Sequence, residues 1–130
     1  MIVTDASIVL DLLLNSPAAG RIKSRLFESN ETLHAPAILD LEVAQVLRRY
    51  AARREISSQR GSAALTLLGQ FPIVRYPHEP LLSRVWELRA NLTAYDAAYV
   101  ALAEGLGATF LTRDARAAAS PEHRATVEVI

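Results

Sequence analysis

The chain has no cysteine and almost no lysine: Lys23 is the single lysine among 130 residues. Without cysteine, disulfides, thiolate metal sites and cysteine nucleophiles are excluded. No apolar stretch is long enough to span a membrane. The N-terminus lacks the basic segment of a signal peptide, and Asp5 and Asp11 interrupt its apolar run. We therefore expect a cytoplasmic protein without a membrane segment.

The charges balance, with 14 basic and 14 acidic residues and a formal net charge of zero at pH 7. A strong overall attraction to nucleic acid is therefore not expected. All basic residues except Lys23 are arginines, and the forked guanidinium group suits paired contacts with phosphate. Composition alone thus leaves nucleic-acid binding open.

Length and patterning predict one α/β domain over residues 1–130. Hydrophobic residues make up 51% of the chain and charged residues 22%, which is typical of a globular protein with a core. Short apolar segments alternate with helical ones, which indicates a three-layer α/β/α fold around a mostly parallel five-stranded sheet. The predicted strands are residues 2–4, 32–35, 73–76, 108–112 and 126–130.

Serine and proline signals predict where two of the helices begin. Ser16 and Pro17 are expected to begin a helix that ends near Ser29. Pro36 is expected to open a long helix that reaches about Arg54. The long helix would then follow the second strand directly, starting from the edge of the sheet at which that strand ends.

Three acids from distant parts of the chain are directed to one edge of this sheet. Asp5 follows the first strand, Asp114 follows the fourth, and Glu42 lies early in the helix after the second. In a parallel sheet, ligands bind beyond the carboxyl ends of the strands. We therefore expect these carboxylates to meet there. Asp96 begins a helix that follows another helix, so topology alone places it less securely.

Each acid also has a structural interpretation. Asp96 stands three residues after a threonine, the spacing of a helix-capping pair, and Asp114 fits a helix N-cap. Glu42 competes with Asp40, about 160° away around the same helix, and periodicity does not choose between them. Asp5 is the hardest to explain in this way, because residues at the end of a central strand are usually buried.

Taken together, the acids indicate a metal site. Clustered carboxylates repel one another, so such a cluster is stable mainly when a cation neutralises it. In a chain without cysteine, an all-oxygen site favours a hard ion, Mg²⁺ or Mn²⁺. Such an ion can orient and deprotonate a water and stabilise charge on a phosphodiester.

Four blocks of the sequence resemble the PIN-domain ribonucleases, most closely the VapC-type toxins of bacterial toxin–antitoxin modules. The blocks are residues 2–7, 36–43, 93–103 and 107–114. They occur in the family's order, and the resemblance extends over essentially the whole chain. It implies a PIN-like α/β/α fold, and it selects Glu42 rather than Asp40 as an acid of the site.

The resemblance also implies an activity and partners. Asp5 and Asp96 would bind the metal directly, while Glu42 and Asp114 would complete the acidic pocket. The protein would be a metal-dependent endoribonuclease that hydrolyses RNA through a metal-activated water. It would be a homodimer, and a cognate VapB-type antitoxin would silence it.

Four residues beside the acids are candidates for supporting roles. By the resemblance, the hydroxyls of Ser7 and Thr112 would line the pocket and support its ligands. Arg113 and Arg116 flank Asp114 and are candidates for contacts with RNA phosphates, although plain surface charge would explain them equally well.

Three other protein classes compete with this interpretation. A receiver domain needs an adjacent acid pair after the first strand and a lysine near the end. A haloacid-dehalogenase-like phosphatase needs Asp-x-Asp where this chain has Asp5-Ala6-Ser7. The alternative function is a non-catalytic PIN-like binding module whose acids serve structure, and it predicts that Asp5→Asn and Asp96→Asn leave function intact.

Overall fold

Five parallel strands form the centre of the fold in the computed structural model, which describes residues 1–28 and 30–130. The strands are β1 (Ile2–Thr4), β2 (Leu33–Pro36), β3 (Ile73–Tyr76), β4 (Thr109–Thr112) and β5 (Thr126–Val129). Their order is β3-β2-β1-β4-β5, and all neighbouring strands are parallel. The carboxyl ends of the strands therefore share one edge, with β1 in the centre of the sheet.

Helices connect the strands. The helices are α1 (Ala6–Leu13), α2 (Ala19–Glu28), α3 (Leu39–Ala52), α4 (Ser58–Gln70), α5 (Leu82–Glu87), α6 (Ala94–Leu106) and α7 (Ala115–Ala119). A 3₁₀ turn over Glu79–Leu81 precedes α5. Across the part of the chain that the structure describes, none of the helices combines the length and apolarity that a membrane crossing requires.

Helices cover both faces of the sheet. On one face, Ile2 of β1 and Leu111 of β4 pack in one core cluster with Ile8 of α1. On the other face, Tyr99 of α6 stacks on Phe110 of β4 with ring centroids 5.8 Å apart. Because neighbouring residues of a strand point to opposite faces, Phe110 and Leu111 belong to different layers of core. The predicted three-layer architecture and parallel sheet are confirmed.

The long helix begins later than the proline signal predicted. Pro36 is the last residue of β2 and pairs with Tyr76 of β3. The next amide, that of Ala37, donates to the Tyr76 carbonyl at 2.9 Å, so the sheet pairing continues past the proline. The helix α3 therefore starts at Leu39, and the prediction that Pro36 opens it is wrong.

The second helix also begins later than predicted. The Ser16 hydroxyl donates to Asp11 at 2.5 Å, and α2 starts only at Ala19, whose amide donates to the Ser16 carbonyl at 2.9 Å. Ser16 therefore supports the turn between α1 and α2 instead of capping a helix at Pro17. The predicted end near Ser29 lies outside the described residues.

Candidate active site

The four predicted acids all lie at helix starts along the carboxyl edge of the sheet. Asp5 directly follows β1 and is the N-cap of α1, and Asp114 follows β4 and is the N-cap of α7. Glu42 lies in the first turn of α3, and Asp96 lies in the first turn of α6. Since α6 leads to the amino end of β4, its own first turn is at the carboxyl edge. This edge is where ligands bind in parallel sheets.

Asp5 is held by hydrogen bonds to both of its carboxylate oxygens. Its Oδ1 accepts from the Ser7 amide at 3.1 Å, the Ser7 hydroxyl at 2.5 Å and the Ile8 amide at 3.3 Å. Its Oδ2 accepts from the Thr112 hydroxyl at 2.5 Å. Burial raises the pKa of Asp5, and these hydrogen bonds oppose the rise because they favour the charged form. The pKa of Asp5 is raised on balance, because the hydrogen bonds offset only part of the effect of burial.

Ser7 and Thr112 connect Asp5 to the loop that carries Asp114. The Ser7 hydroxyl accepts from the Arg113 amide at 3.1 Å, and the Thr112 hydroxyl accepts from the Asp114 amide at 3.0 Å. Each hydroxyl therefore accepts a hydrogen bond from a backbone amide and donates its own hydrogen bond to Asp5. The ends of β1 and β4 are tied together through these two side chains, both of which the sequence had marked as candidates.

Glu42 binds a residue that the sequence analysis did not single out. The Tyr99 hydroxyl donates to Glu42 Oε1 at 2.5 Å. Burial raises the pKa of Glu42, the hydrogen bond from Tyr99 opposes the rise, and the charges of Asp96 and Asp5 add to it. Burial and the contact with Glu42 also raise the pKa of Tyr99, so the phenol keeps its proton and acts as the donor. Its spacing of three residues from Asp96 on α6 is the sequence signal that could have identified Tyr99.

Asp96 combines a capping contact with a free carboxylate. Its amide donates to the Thr93 hydroxyl at 3.1 Å, as the capping interpretation predicted. The Asp96 side chain has no hydrogen bond within the described part of the chain and lies at the exposed start of α6. Because its charge acts on Glu42, the carboxylate lies within electrostatic reach of the pocket.

Asp40 and Glu42 have separate partners. Arg75 of β3 donates through Nε to both carboxylate oxygens of Asp40, at 3.0 and 2.9 Å. The same guanidinium donates to the carbonyls of Ile73 and Leu68. Asp40 therefore joins α3 to the sheet, whereas the charge of Glu42 interacts with the acids of the edge.

Asp114 and the two candidate arginines form ion pairs. Arg116 donates to Asp114 with a closest approach of 2.7 Å, and this contact lowers the pKa of Asp114. Arg113 donates through Nη1 to Asp11 at 2.5 Å. Arg116 remains 89% exposed at its side chain, so it can exchange partners with little loss of packing. Arg113 directly follows β4 and Arg116 lies in α7, so both are next to the carboxyl edge of the sheet.

The acids at this edge fit a hard cation that keeps some of its waters, with one or two carboxylates as direct ligands. Within residues 1–28 and 30–130, no group of three or more histidine, aspartate or glutamate side chains is arranged to hold a metal ion by itself. The charges of Asp5 and Asp96 nevertheless both act on Glu42, where they add to the rise of its pKa. Mg²⁺ keeps several of its waters and is usually bound through one or two carboxylates. All-oxygen ligands of this kind suit Mg²⁺ or Mn²⁺.

Sequence comparison links the chain to known ribonucleases. A PIN-domain family profile matches residues 2–121. Ribonuclease VapC12 of Mycobacterium tuberculosis is 41% identical over 130 residues, which cover 100% of this chain and 99% of that protein. Ribonuclease VapC1 of the same species is 42% identical over 120 residues, which cover 92% of this chain and 90% of that protein.

Comparison with solved structures agrees on the fold. The crystal structure of VapBC2 from Rickettsia felis bound to a promoter DNA fragment matches with a TM-score of 0.73 at 14% identity. The match covers 99% of this chain and 98% of that chain. At such low identity the likeness concerns the fold alone, but the profile and the mycobacterial relatives extend over most or all of the sequence. The chain therefore belongs to the PIN-domain family and, within it, to the VapC ribonucleases.

Proposed function

We propose that this protein is a Mg²⁺- or Mn²⁺-dependent endoribonuclease and the toxin of a VapBC-type toxin–antitoxin pair. The observation that supports the proposal is the position of Asp5, Glu42 and Asp96 at the starts of three helices along the carboxyl edge of the sheet. The charges of Asp5 and Asp96 both raise the pKa of Glu42, although the three acids come from three separate helices. A site that gathers like charges in this way gains stability when it binds a cation.

The four acids have two proposed roles, binding the cation directly and completing the pocket around it. Asp5 and Asp96 are proposed to bind the cation directly, and Glu42 and Asp114 to complete the pocket through water. When bound, a hard divalent cation supplies a polarised water and positive charge beside the scissile phosphodiester. Asp114 would have to leave Arg116 in order to take part, since the two form an ion pair.

Ser7 and Thr112 orient the Asp5 carboxylate. Together they donate to both of its oxygens, and donors to a carboxylate favour its charged form. Partners of this kind restrict the orientation of a metal ligand and tune its basicity. We assign both hydroxyls to this supporting role.

Arg113 and Arg116 are the proposed contacts with RNA phosphates. Both guanidinium groups lie at the rim beside carboxylates. Arginine binds phosphate in the same two-pronged manner as it binds carboxylate. A phosphate of the RNA would compete with Asp11 for Arg113 and with Asp114 for Arg116.

The proposed antitoxin surface is an apolar groove of about 440 Å³ between α1, α2 and α4. Leu26 and Phe27 of α2 and Leu67 of α4 line it, and Phe27 is 78% exposed. Exposed apolar surface of this kind typically marks an interaction site. Phe27→Glu should abolish co-purification of the chain with the antitoxin. It should also prevent the antitoxin from rescuing the growth of cells that express the chain, while RNA cleavage by the purified chain persists. Rescue that survives this substitution would place the antitoxin elsewhere.

The proposed homodimer surface lies on the other helical layer. Leu82 and Trp86 of α5 and Tyr95 of α6 are 56%, 67% and 60% exposed. Leu82 and Tyr95 also line a cavity of about 160 Å³ beside the start of α6. We assign this surface to a second copy of the chain.

Residues 1–130 are proposed to form one nuclease domain that works in the cytoplasm, a compartment that suits a chain without cysteine.

RNA cleavage by the purified chain tests the proposal. Cleavage should need Mg²⁺ or Mn²⁺, should stop in EDTA and should be lost in Asp5→Asn. Asparagine is as good an N-cap as aspartate, so this variant keeps the start of α1. Asp40→Asn is the matched control, because Asp40 is paired with Arg75 of β3. Cleavage that persists in both EDTA and Asp5→Asn would favour the alternative, a non-catalytic binding module whose acids serve structure.

A further inference from the structure

Tyr99 joins three elements at the carboxyl edge. It lies on α6, three residues after Asp96, and is only 2% exposed. Its ring stacks on Phe110 of β4 at an interplanar angle of 6°. Its hydroxyl reaches Glu42 on α3. The ring is therefore held by the core, while the hydroxyl donates to Glu42.

The contact with Tyr99 involves one of the two carboxylate oxygens of Glu42. Oε1 accepts from the Tyr99 hydroxyl at 2.5 Å, whereas Oε2 has no hydrogen bond within the described part of the chain. A glutamate side chain has several rotamers of similar energy. One strong donor, fixed by a buried and stacked ring, selects among them. The carboxylate is thus oriented by one oxygen and left available at the other.

We infer that Tyr99 is a positioning residue for Glu42, holding it by Oε1 so that Oε2 is free for a cation or for its water. The inference rests on the proposed metal-dependent function. Residues three apart on a helix lie on the same side, so α6 presents Asp96 and Tyr99 together. Tyr99 thereby sets the position of Glu42 on α3 relative to Asp96 on α6.

Tyr99→Phe tests this role, because it removes the hydroxyl and keeps the stacked ring. The affinity of the purified chain for Mn²⁺ is measured by electron paramagnetic resonance, which reports the free ion and does not depend on RNA cleavage. We expect about 10–100-fold weaker Mn²⁺ binding, the usual effect of removing a partner that orients a metal ligand. Unchanged Mn²⁺ affinity would overturn the inference.

Tyr76→Phe is the matched control. The Tyr76 hydroxyl forms a 2.8 Å hydrogen bond with His34 Nδ1 in the sheet, so the substitution also removes one tyrosine contact. It should lower the melting temperature about as much as Tyr99→Phe and leave Mn²⁺ binding unchanged. Equal loss of Mn²⁺ affinity in both variants would show that only general stability had been measured, and would overturn the assignment.

A double-mutant cycle with Glu42→Gln tests whether Tyr99 acts through Glu42. In the Glu42→Gln background, Tyr99→Phe should cause little further loss of Mn²⁺ affinity, because the group that it positions has changed. Fully additive losses would contradict the inference. Asp5→Asn separates this failure from failure of the proposed function. If Asp5→Asn abolishes Mn²⁺ binding and Tyr99→Phe does not alter it, only the role of Tyr99 is wrong.

Discussion

Thr112 donates a 2.5 Å hydrogen bond to Asp5 across 107 residues of sequence. The register of the sheet brings this contact about. Thr4 of β1 lies opposite Leu111 of β4, so Asp5, which directly follows β1, comes next to Thr112, the last residue of β4. Thr112 is fully buried, and its hydroxyl also accepts from the amide of Asp114. One side chain therefore links the first predicted acid of the chain to the last.

Thr112→Val should reduce RNA cleavage by about 10–100-fold with little change in fold. Valine has nearly the shape of threonine but no hydroxyl, so Asp5 loses the donor to Oδ2 and the buried carboxylate is less well stabilised as an anion. The measurement is the rate of Mg²⁺-dependent cleavage of a single-stranded RNA. Thr112→Ser keeps the hydroxyl and should retain most of the activity. If valine and serine variants cleave equally well, Thr112 serves packing alone.

Arg116→Ala should weaken RNA binding more than it slows the chemical step. Its side chain is 89% exposed, so the substitution removes charge without disturbing the core. Binding is measured in an Asp5→Asn background, where the RNA stays intact. The slope of the logarithm of the binding constant against the logarithm of the salt concentration should fall in magnitude by about 0.7 if one phosphate contact is lost. Arg21→Ala, which removes an exposed arginine of α2, is the control and should leave the slope unchanged. Equal slopes for the Asp5→Asn parent and for its Arg116→Ala and Arg21→Ala derivatives would show that Arg116 does not contact the RNA.

Glu104→Gln should destabilise the fold at neutral pH by about 1–3 kcal/mol. Glu104 accepts from Arg84 at 2.8 and 3.1 Å and from the Arg124 amide at 2.7 Å, and its side chain is 11% exposed. The contact with Arg84 lowers the pKa of Glu104. Its stabilising contribution is therefore fully present above the ordinary glutamate pKa of about 4.3 and is lost as the pH falls through the lower pKa of the folded state.

Urea unfolding across this pH range checks the prediction. The difference between wild type and Glu104→Gln should shrink as the pH becomes acidic. Glu87 contacts the same Arg84 at 2.9 Å, but its side chain is 60% exposed. Glu87→Gln should therefore change stability by less than about 1 kcal/mol, as expected for a surface pair. A Glu104→Gln effect that does not vary with pH would show that shape, and not charge, accounts for the loss.

Trp86→Glu should convert the proposed dimer to a monomer. Trp86 is 67% exposed, and the Arg89 guanidinium lies over its ring, 4.4 Å from the ring centre. Aromatic residues of this kind dominate the binding energy of interfaces. Light scattering after size-exclusion chromatography measures the mass directly. Phe27→Glu, on the opposite helical layer, should leave the mass unchanged. A wild-type chain that elutes as a monomer at micromolar concentration would remove the dimer from the proposal.

Local signals agree with the structure at the two ends of α6, whereas the serine and proline signals at Ser16, Pro17 and Pro36 did not mark the starts of helices. Thr93 caps α6 by accepting from the Asp96 amide, and Gly107 ends the helix with a φ of 63°. A cap or a left-handed residue acts within one turn of helix, so its effect can be read from the sequence. Pro36 was misread because its place at the end of β2 depends on pairing with Tyr76, forty residues away.

The partners of the charged side chains could not be predicted in the same way. Asp40 and Glu42 stand two residues apart, and helical periodicity alone left both open. The packing of α3 against β3 brings Asp40 to Arg75, and the approach of α6 brings Tyr99 to Glu42. These contacts depend on how each helix is rotated against the sheet, which is a property of the whole core.

By itself, the sequence determined the alternation of strands and helices and the acids that follow the strands. Strand polarity is enough to send Asp5 and Asp114 to one edge, because parallel strands end together. The tertiary structure alone decided how each acid is held there. Asp5 is bound by Thr112, and Glu42 by Tyr99. Such contacts require sub-ångström agreement between distant segments, and only the packed core and the register of the sheet supply it.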